Sequence, residues 1–349
     1  MNHQISREKL TGGALHPEDH RYVLRPADRF LEEAVRRSDT SIILVKGPRE
    51  TGKSSLMIRC LHQEQARGAM TLVTDFKAFP RSAFETMENL CLAILLQLAA
   101  QLAQIKGGEI PTAEDEARVS KMPTIGLEQF IQRRVLNQNM ETTILWAMDR
   151  VDRLFGTPSG PDFFSLLRSW HDKRTQLASR TWRRLKIVVV TSTEAVLFLK
   201  DLNQSPFNVG LKIELADFSS DEAQTLNKEL GEPLAPLEQA SLYALLSGHP
   251  RLMGQAMQAV NDGALFSELL PQLDQADGPF GEHLQRLEEF VNSRPEHRSA
   301  VDDVIAGKSC ATEPFLMLRS AGVLAGDASD APRMRCPLYA RFLQRKNSR

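Results

Sequence analysis

Apolar residues along this 349-residue chain cluster into five short runs rich in β-branched side chains: SIILVK (41–46), MTLVTDF (70–76), TTILWAMD (142–149), LKIVVVTST (185–193) and VGLKIEL (209–215). Unbroken rather than alternating apolarity marks strands buried on both faces, as in a parallel sheet covered by helices. Helical spacing fills most of the intervals, at 53–66, 80–105, 126–138 and 162–179. Residues 41–218 are therefore expected to form an α/β domain with a doubly wound parallel sheet of about five strands. The polar, Gly- and Pro-containing KGGEIPTAEDEARVSKMP (106–123) reads as a surface loop.

Beyond residue 218 the pattern changes. SSDEAQTLNKEL opens on a serine suited to an N-cap, and PLEQASLYALLSGHP follows with helical spacing. This predicts a helical lid over 219–283. HRSAVDDVIAGK and EPFLMLRSAG read as two helices, and VLAGDASDAPRMRCPLY as two apolar stretches around a turn. Helix, helix, hairpin is the order of a winged-helix domain, expected over 284–349. Residues 1–40 form a segment ahead of the sheet.

With 42% hydrophobic and 25% charged residues, the chain has the balance of a globular protein with enough apolar material for several cores. Its 43 basic and 44 acidic side chains leave a net charge of −1, so no field of the whole molecule draws it to nucleic acid or an anionic membrane. Cys60, Cys91, Cys310 and Cys336 lie far apart, without metal-type spacing, and read as reduced thiols of a cytoplasmic protein. The N-terminus lacks the apolar core of a secretory signal. The greasiest run, LCLAILLQLAAQLA (90–103), is too short to span a bilayer and is broken by Gln97 and Gln101, so a buried helix and no membrane role are expected.

The chemistry concentrates in GPRETGKSS, which fits GxxxxGK[ST] between the first strand and an apolar-periodic helix. Gly47 and Gly52 would let the backbone aim its N–H groups at phosphate oxygens, helped by the partial positive charge of the helix N-terminus. Lys53 would reach the outer phosphates, and the Ser54 hydroxyl would enter a Mg²⁺ shell. The whole loop, with Pro48, Arg49, Glu50, Thr51 and Ser55, is expected to contact the nucleotide.

ILWAMDRVDRLF carries the second candidate. Asp149 ends a buried strand, where a carboxylate would hold the metal through water. The next residue is Arg150, and a guanidinium cannot accept a proton at neutral pH. Losing a general base costs on the order of 10²–10⁴ in rate, so slow or absent hydrolysis is expected. Asp152 either begins and caps the next turn or substitutes as a catalytic acid-base group, with Glu194 a weaker substitute. Thr193, in the strand-end TST, either senses the γ-phosphate or is a plain strand-end threonine.

In order and spacing, GGALHPEDHRYVLRPAD, GPRETGKSSL, MDRVDRLF, FFSLLRSWH, VVVTSTE, NQSPFNVGLKIEL and SGHPRLM resemble the AAA-like domain of bacterial STAND-class P-loop ATPases. The resemblance runs from Gly12 to about Leu343. It implies a P-loop NTPase fold with lid and winged helix, binding ATP or ADP with Mg²⁺. Tyr22, Val23, Arg25 and Pro26 of YVLRP would lie over the adenine. Pro250 of GHP would lean from the lid onto the base or ribose, and Arg251 would reach a phosphate or stay solvated; His249 reads as a turn residue. Relatives commonly continue into long repeat or effector domains, so a separate effector or sensor protein is expected as partner, with a homo-oligomer possible.

The leading expectation is thus an ATP-dependent switch. The alternative is a DNA-associated ATPase that holds duplex through its winged helix. TEPFLMLRSAG offers only Arg319 as a basic residue, and the wing carries Asp327 and Asp330, whereas phosphate binding wants cations there. Two basic clusters favour the alternative: the C-terminus, with Arg333, Arg335, Arg341, Arg345, Lys346 and Arg349, and RTWRRLK, with Arg180, Arg183, Arg184 and Lys186. Solvated surface and a frayed terminus are the favoured account of both, and an arginine finger from Arg183 or Arg184 toward a neighbour is conceivable but not favoured.

Overall fold

All five apolar runs form strands: β1 (Ile42–Lys46), β2 (Met70–Asp75), β3 (Ile144–Asp149), β4 (Leu185–Thr191) and β5 (Leu211–Glu214). They pair in the order β2-β3-β4-β1-β5, and every pairing is parallel. The computed structural model describes residues 13–106, 111–137, 142–175, 181–193 and 206–347. These divide into two units: one of residues 26–47 and 56–215, the other of residues 1–25, 48–55 and 216–349.

The first unit holds the sheet. Every residue of β3 and β4 is buried, whereas the edge strand β2 alternates buried and half-buried positions. That difference is the one expected between central and edge strands of a covered sheet. Alternate residues feed two cores. Ile43, Val45, Leu145, Ala147, Val188 and Val190 face α1 (Pro26–Arg36) and α2 (Lys53–Ala66). Ile42, Leu44, Trp146, Met148, Ile187 and Val189 face α3 (Met87–Lys106), α5 (Pro123–Phe130) and α6 (Gly160–Asp172). Helices on both faces make the sheet doubly wound.

Some boundaries differ from expectation. The segment read as a loop contains α4 (Ala113–Lys121), because Thr112 and Asp115 form a capping box: the Thr112 hydroxyl accepts from Asp115 N–H and the Asp115 carboxylate accepts from Thr112 N–H. The run at 90–103 belongs to the longer α3, which is long and apolar enough to cross a membrane by length and composition alone. One face of it, including Leu90, Cys91, Ile94, Leu95 and Leu98, is fully buried in the first unit's core. The helix expected at 126–138 starts at Pro123 and loosens into a π-turn at Ile131–Leu136. β4 ends at Thr191, so Thr193 lies beyond the strand.

The second unit contains α7 (Ser220–Glu229), α8 (Pro236–Leu246), α9 (Pro250–Asn261), α10 (Phe266–Leu269), α11 (Gly281–Asn292), α12 (Pro295–Ile305), α13 (Thr312–Ala321), a hairpin of β6 (Leu324–Ala325) and β7 (Arg333–Met334), and α14 (Pro337–Asn347). Ser219 caps α7 in a capping box with Glu222. One hydrophobic core runs from Val23 through Leu226, Leu252, Phe280 and Phe315 to Leu343. The expected frayed terminus is a helix instead, since Leu338, Tyr339, Phe342 and Leu343 recur with helical period and are all buried.

Candidate functional site

The phosphate-loop segment 48–55 groups with the second unit and is tied into it from three sides. Arg25, 8% exposed, donates through Nη1 to Thr51 O at 2.9 Å and to Ala216 O at 3.4 Å, its guanidinium 5.3 Å from the Phe218 ring centroid. Leu15 N–H donates to Ser55 Oγ at 3.0 Å. Arg335 grips Asp217 with Nε and Nη2 at 2.8 and 2.6 Å, and its Nη1 donates to Arg49 O at 2.8 Å. Burial disfavours a charged guanidinium, but the Asp217 carboxylate outweighs it and raises the Arg335 pKa.

The loop has the conformation its glycine requires. Gly52 has φ +93°, and a Cβ there would meet Arg25 Nη2 at 2.9 Å. Glu50 adopts φ +65° without being glycine, a cost of about 1–3 kcal/mol that surrounding contacts must offset. Those contacts are an ion pair with Arg251, His283 Nδ1 at 3.2 Å and His249 Nε2 at 3.7 Å. Burial would raise the Glu50 pKa, but the His283 hydrogen bond and the charges of His283 and Arg251 hold it at about 2. Lys53 Nζ donates to Pro48 O at 2.6 Å, and Thr51 Oγ1 to the same carbonyl at 3.0 Å.

Some of these groups line one cavity of about 410 Å³, whose walls include Tyr22, Val23, Arg25, Glu50, Thr51, Gly52, Ser55, Pro250 and Arg251 but not Pro48, Lys53 or Ser54. Nine of the expected nucleotide-contacting residues thus share one hollow. Phe218, Leu226, Leu230 and Gly254 add apolar surface and His16, Asp19 and Arg21 polar groups; nothing in their spacing singled them out in the sequence. Arg49 lines a separate cavity with Arg335 and Tyr339. Arg251, its side chain 25% exposed, is engaged by Glu50. His249 does more than turn the chain: it accepts from Leu252 N–H at 3.5 Å as the N-cap of α9. Gly47 and Pro26 belong to the first unit.

The strand-end acids also lie in the first unit. Asp149 is 6% exposed, and its Oδ1 accepts from Arg150 N–H at 2.9 Å. Arg150 is left-handed at φ 57°, ψ 40°, and its Nη1 binds both Asp75 oxygens at 3.1 and 2.8 Å. Asp75 and Asp149 are register partners at the ends of β2 and β3. Asp75 lies within MTLVTDF, and nothing in the sequence singled it out as the partner of Arg150. Arg150, not Asp152, is the cap residue of the short turn Val151–Leu154. Asp152 instead accepts from Thr193 Oγ1 at 3.4 Å. Glu194 lies outside the described residues.

The two basic clusters are partly engaged within the fold, while Arg333 and Arg341 are exposed. Arg335 is buried, and Arg345 pairs with Asp274 at 2.7 Å. Lys186 is 4% exposed and donates to the carbonyls of Arg37 and Thr40; burial and the charge of Arg174 push its pKa down to about 8. Arg183 and Arg184 donate to carbonyls of Arg174 and of Leu136 and Thr142. The simple solvated-surface expectation fails for Arg335 and Lys186 because both satisfy buried partners. Arg180 and Arg349, and the side chain of Lys346, lie outside the described residues.

A family model described as an AAA-like domain matches residues 10–345. The chain belongs to the AAA-like domain family. Its P-loop ATPase fold is shared with the Walker-type ATPase of Pyrococcus abyssi, at TM-score 0.64 and 15% identity over 91% of this chain and 94% of that one. A curated relative, an uncharacterized WD repeat-containing protein of Synechocystis, is 27% identical over 236 residues, 67% of this chain and 19% of the relative. The AAA-like chain therefore spans about a fifth of the length of the curated relative it matches.

Proposed function

We propose that this AAA-like chain binds ATP or ADP with Mg²⁺ and works as a nucleotide-dependent switch of the STAND class, with slow hydrolysis. The carrying observation is the cavity of about 410 Å³ on which the YVLRP segment, the phosphate loop and Pro250–Arg251 converge. Three sequence segments far apart in the chain contribute to it, so a bound nucleotide would contact all of them at once. A ligand shifts a conformational equilibrium only through such differential contacts.

The residues fit the group. Gly52 provides a backbone cradle that a Cβ would obstruct, and Lys53 supplies a buried cation in the same loop. Lys53 is assigned the outer phosphates, while Ser54 and Asp149 are assigned the metal. Bound Mg²⁺ would neutralise phosphate charge. Tyr22, Val23, Arg25 and Pro26 are assigned the base side, and Thr193 the sensing of the γ-phosphate. Slow turnover follows from Arg150, whose guanidinium is committed to Asp75. The remaining catalytic duty falls to Asp152 at reduced efficiency.

The output is proposed to be contact with a separate effector or sensor protein, or self-association, through the C-terminal elements α12 to α14 acting as a winged helix. A duplex-binding role is not favoured, because Arg319 donates to Gly326 O at 3.2 Å and Arg335 is buried. The test is equilibrium binding of a fluorescent ATP analogue with competition by ATP, ADP and GTP. Submillimolar binding displaced by ATP and ADP supports the proposal, and its absence removes it.

A further inference from the structure

Glu50, His249 and His283 come from three places in the sequence, and their ligand atoms all lie within 4.8 Å of one another. We propose that they form a site for a divalent transition-metal ion of the zinc type, independent of the nucleotide's Mg²⁺. Two histidines and a glutamate are a donor set that holds zinc with a fourth position open to water. With bonds of about 2.0–2.2 Å, tetrahedral ligands stand roughly 3.3–3.6 Å apart. Glu50 Oε2 is 3.2 Å from His283 Nδ1 and 3.7 Å from His249 Nε2.

The hydrogen bonding of the two histidines is compatible with a cation here. His249 is fully buried, and its Nε2 has no hydrogen-bond partner among the described residues. His283 Nε2 lies 2.8 Å from the Tyr339 hydroxyl; in the tautomer that donates its ring proton there, Nδ1 presents a lone pair, 3.2 Å from a Glu50 carboxylate oxygen. In that tautomer the facing lone pairs require a proton or a metal ion between them. The outer partners of a metal site are also in place: Tyr339 orients His283, and Arg251 holds the other Glu50 oxygen.

Metal at His249 Nε2 puts the ring proton on Nδ1, which gives up a contact with Leu252 N–H that is already 3.5 Å long. Arg335 also faces the cluster, with its charge matched by Asp217. A cavity of about 180 Å³ lined by Glu50, His283 and Tyr339 gives an ion and its water a way in. Because Glu50 belongs to the phosphate loop, the ion would pin that loop to the starts of α9 and α11.

The test uses the chelator-stripped full chain without nucleotide or Mg²⁺, titrated with Co²⁺ by visible absorption and with Zn²⁺ by calorimetry. One equivalent should bind, with a tetrahedral-type Co²⁺ spectrum and a raised Tm, and His283→Ala or Glu50→Gln should weaken it at least about 10-fold. If either variant fails to fold by circular dichroism, Tyr339→Phe serves, with affinity expected to fall by about 10-fold or more. Parent chain that shows no metal-dependent Tm shift, or variants that bind as the parent does, would overturn the proposal whatever the nucleotide affinity proves to be. A proton between His283 and Glu50 is then the occupant.

Discussion

Arg335 forks onto both oxygens of Asp217 at 2.8 and 2.6 Å from a position only 2% exposed, and its remaining Nη1 reaches Arg49 O in the phosphate loop. Removing one member of a buried pair leaves an uncompensated charge, which costs about 3–5 kcal/mol. Arg335→Met should therefore lower the urea unfolding free energy by that amount, and the double variant Asp217→Leu/Arg335→Met should recover much of it. Nucleotide affinity should fall in both, since the tie to Arg49 O is lost in each.

Gly248 has φ +76°, and a Cβ there would stand 2.0 Å from Phe218 O. The same close approach lets Phe218 N–H donate to Gly248 O at 2.9 Å. Gly248→Ala combines left-handed strain with a backbone collision, and should destabilise by about 2–4 kcal/mol in denaturant titration.

Acid should weaken the second unit in two stages. Burial, aided by the charges of Arg335 and His283, pushes the His249 pKa well below its ordinary 6.5. The unfolded chain then takes up a proton that the folded chain refuses, so stability is full above about 6.5 and falls as pH drops below it. Glu50 adds stability that is full above its ordinary 4.5 and is lost as pH falls toward about 2. Unfolding measured across pH should show His249→Asn flattening the upper stage and Glu50→Gln the lower one.

Arg150 occupies the place where a hydrolytic base is expected, and Asp75 holds it there. Arg150→Glu alone would set two carboxylates against each other, so the informative variant is Arg150→Glu/Asp75→Asn. Multiple-turnover ATP hydrolysis should rise at least about 10-fold in the double variant, within the 10²–10⁴ that a general base can supply. Fast turnover by the parent would show that Arg150 is no obstacle.

Much of the fold was legible because the physics was local. Continuous β-branched runs marked β1 to β5, and GPRETGKSS declared its own turn. The helix α4 was hidden by composition, its only signal being the Thr112–Asp115 capping box inside a polar stretch. The environment of the site was not legible, because Asp75 with Arg150, Asp217 with Arg335, and Glu50 with His249 and His283 are meetings of residues distant in sequence. Lys186 and Arg335 looked like surface charges for the same reason: their partners were unknown until the chain was folded.

The central claim is that the phosphate loop holds a nucleotide. Lys53 is the residue on which it depends most, and its substitution leaves the Glu50, Arg25 and Arg335 ties untouched. Calorimetric titration of Mg-ATP into the parent and into folded Lys53→Ala should show binding by the parent and at least about a 10-fold loss in the variant, the scale of a charge-assisted phosphate contact of roughly 1.5–3 kcal/mol. Equal affinity in the two proteins would contradict it.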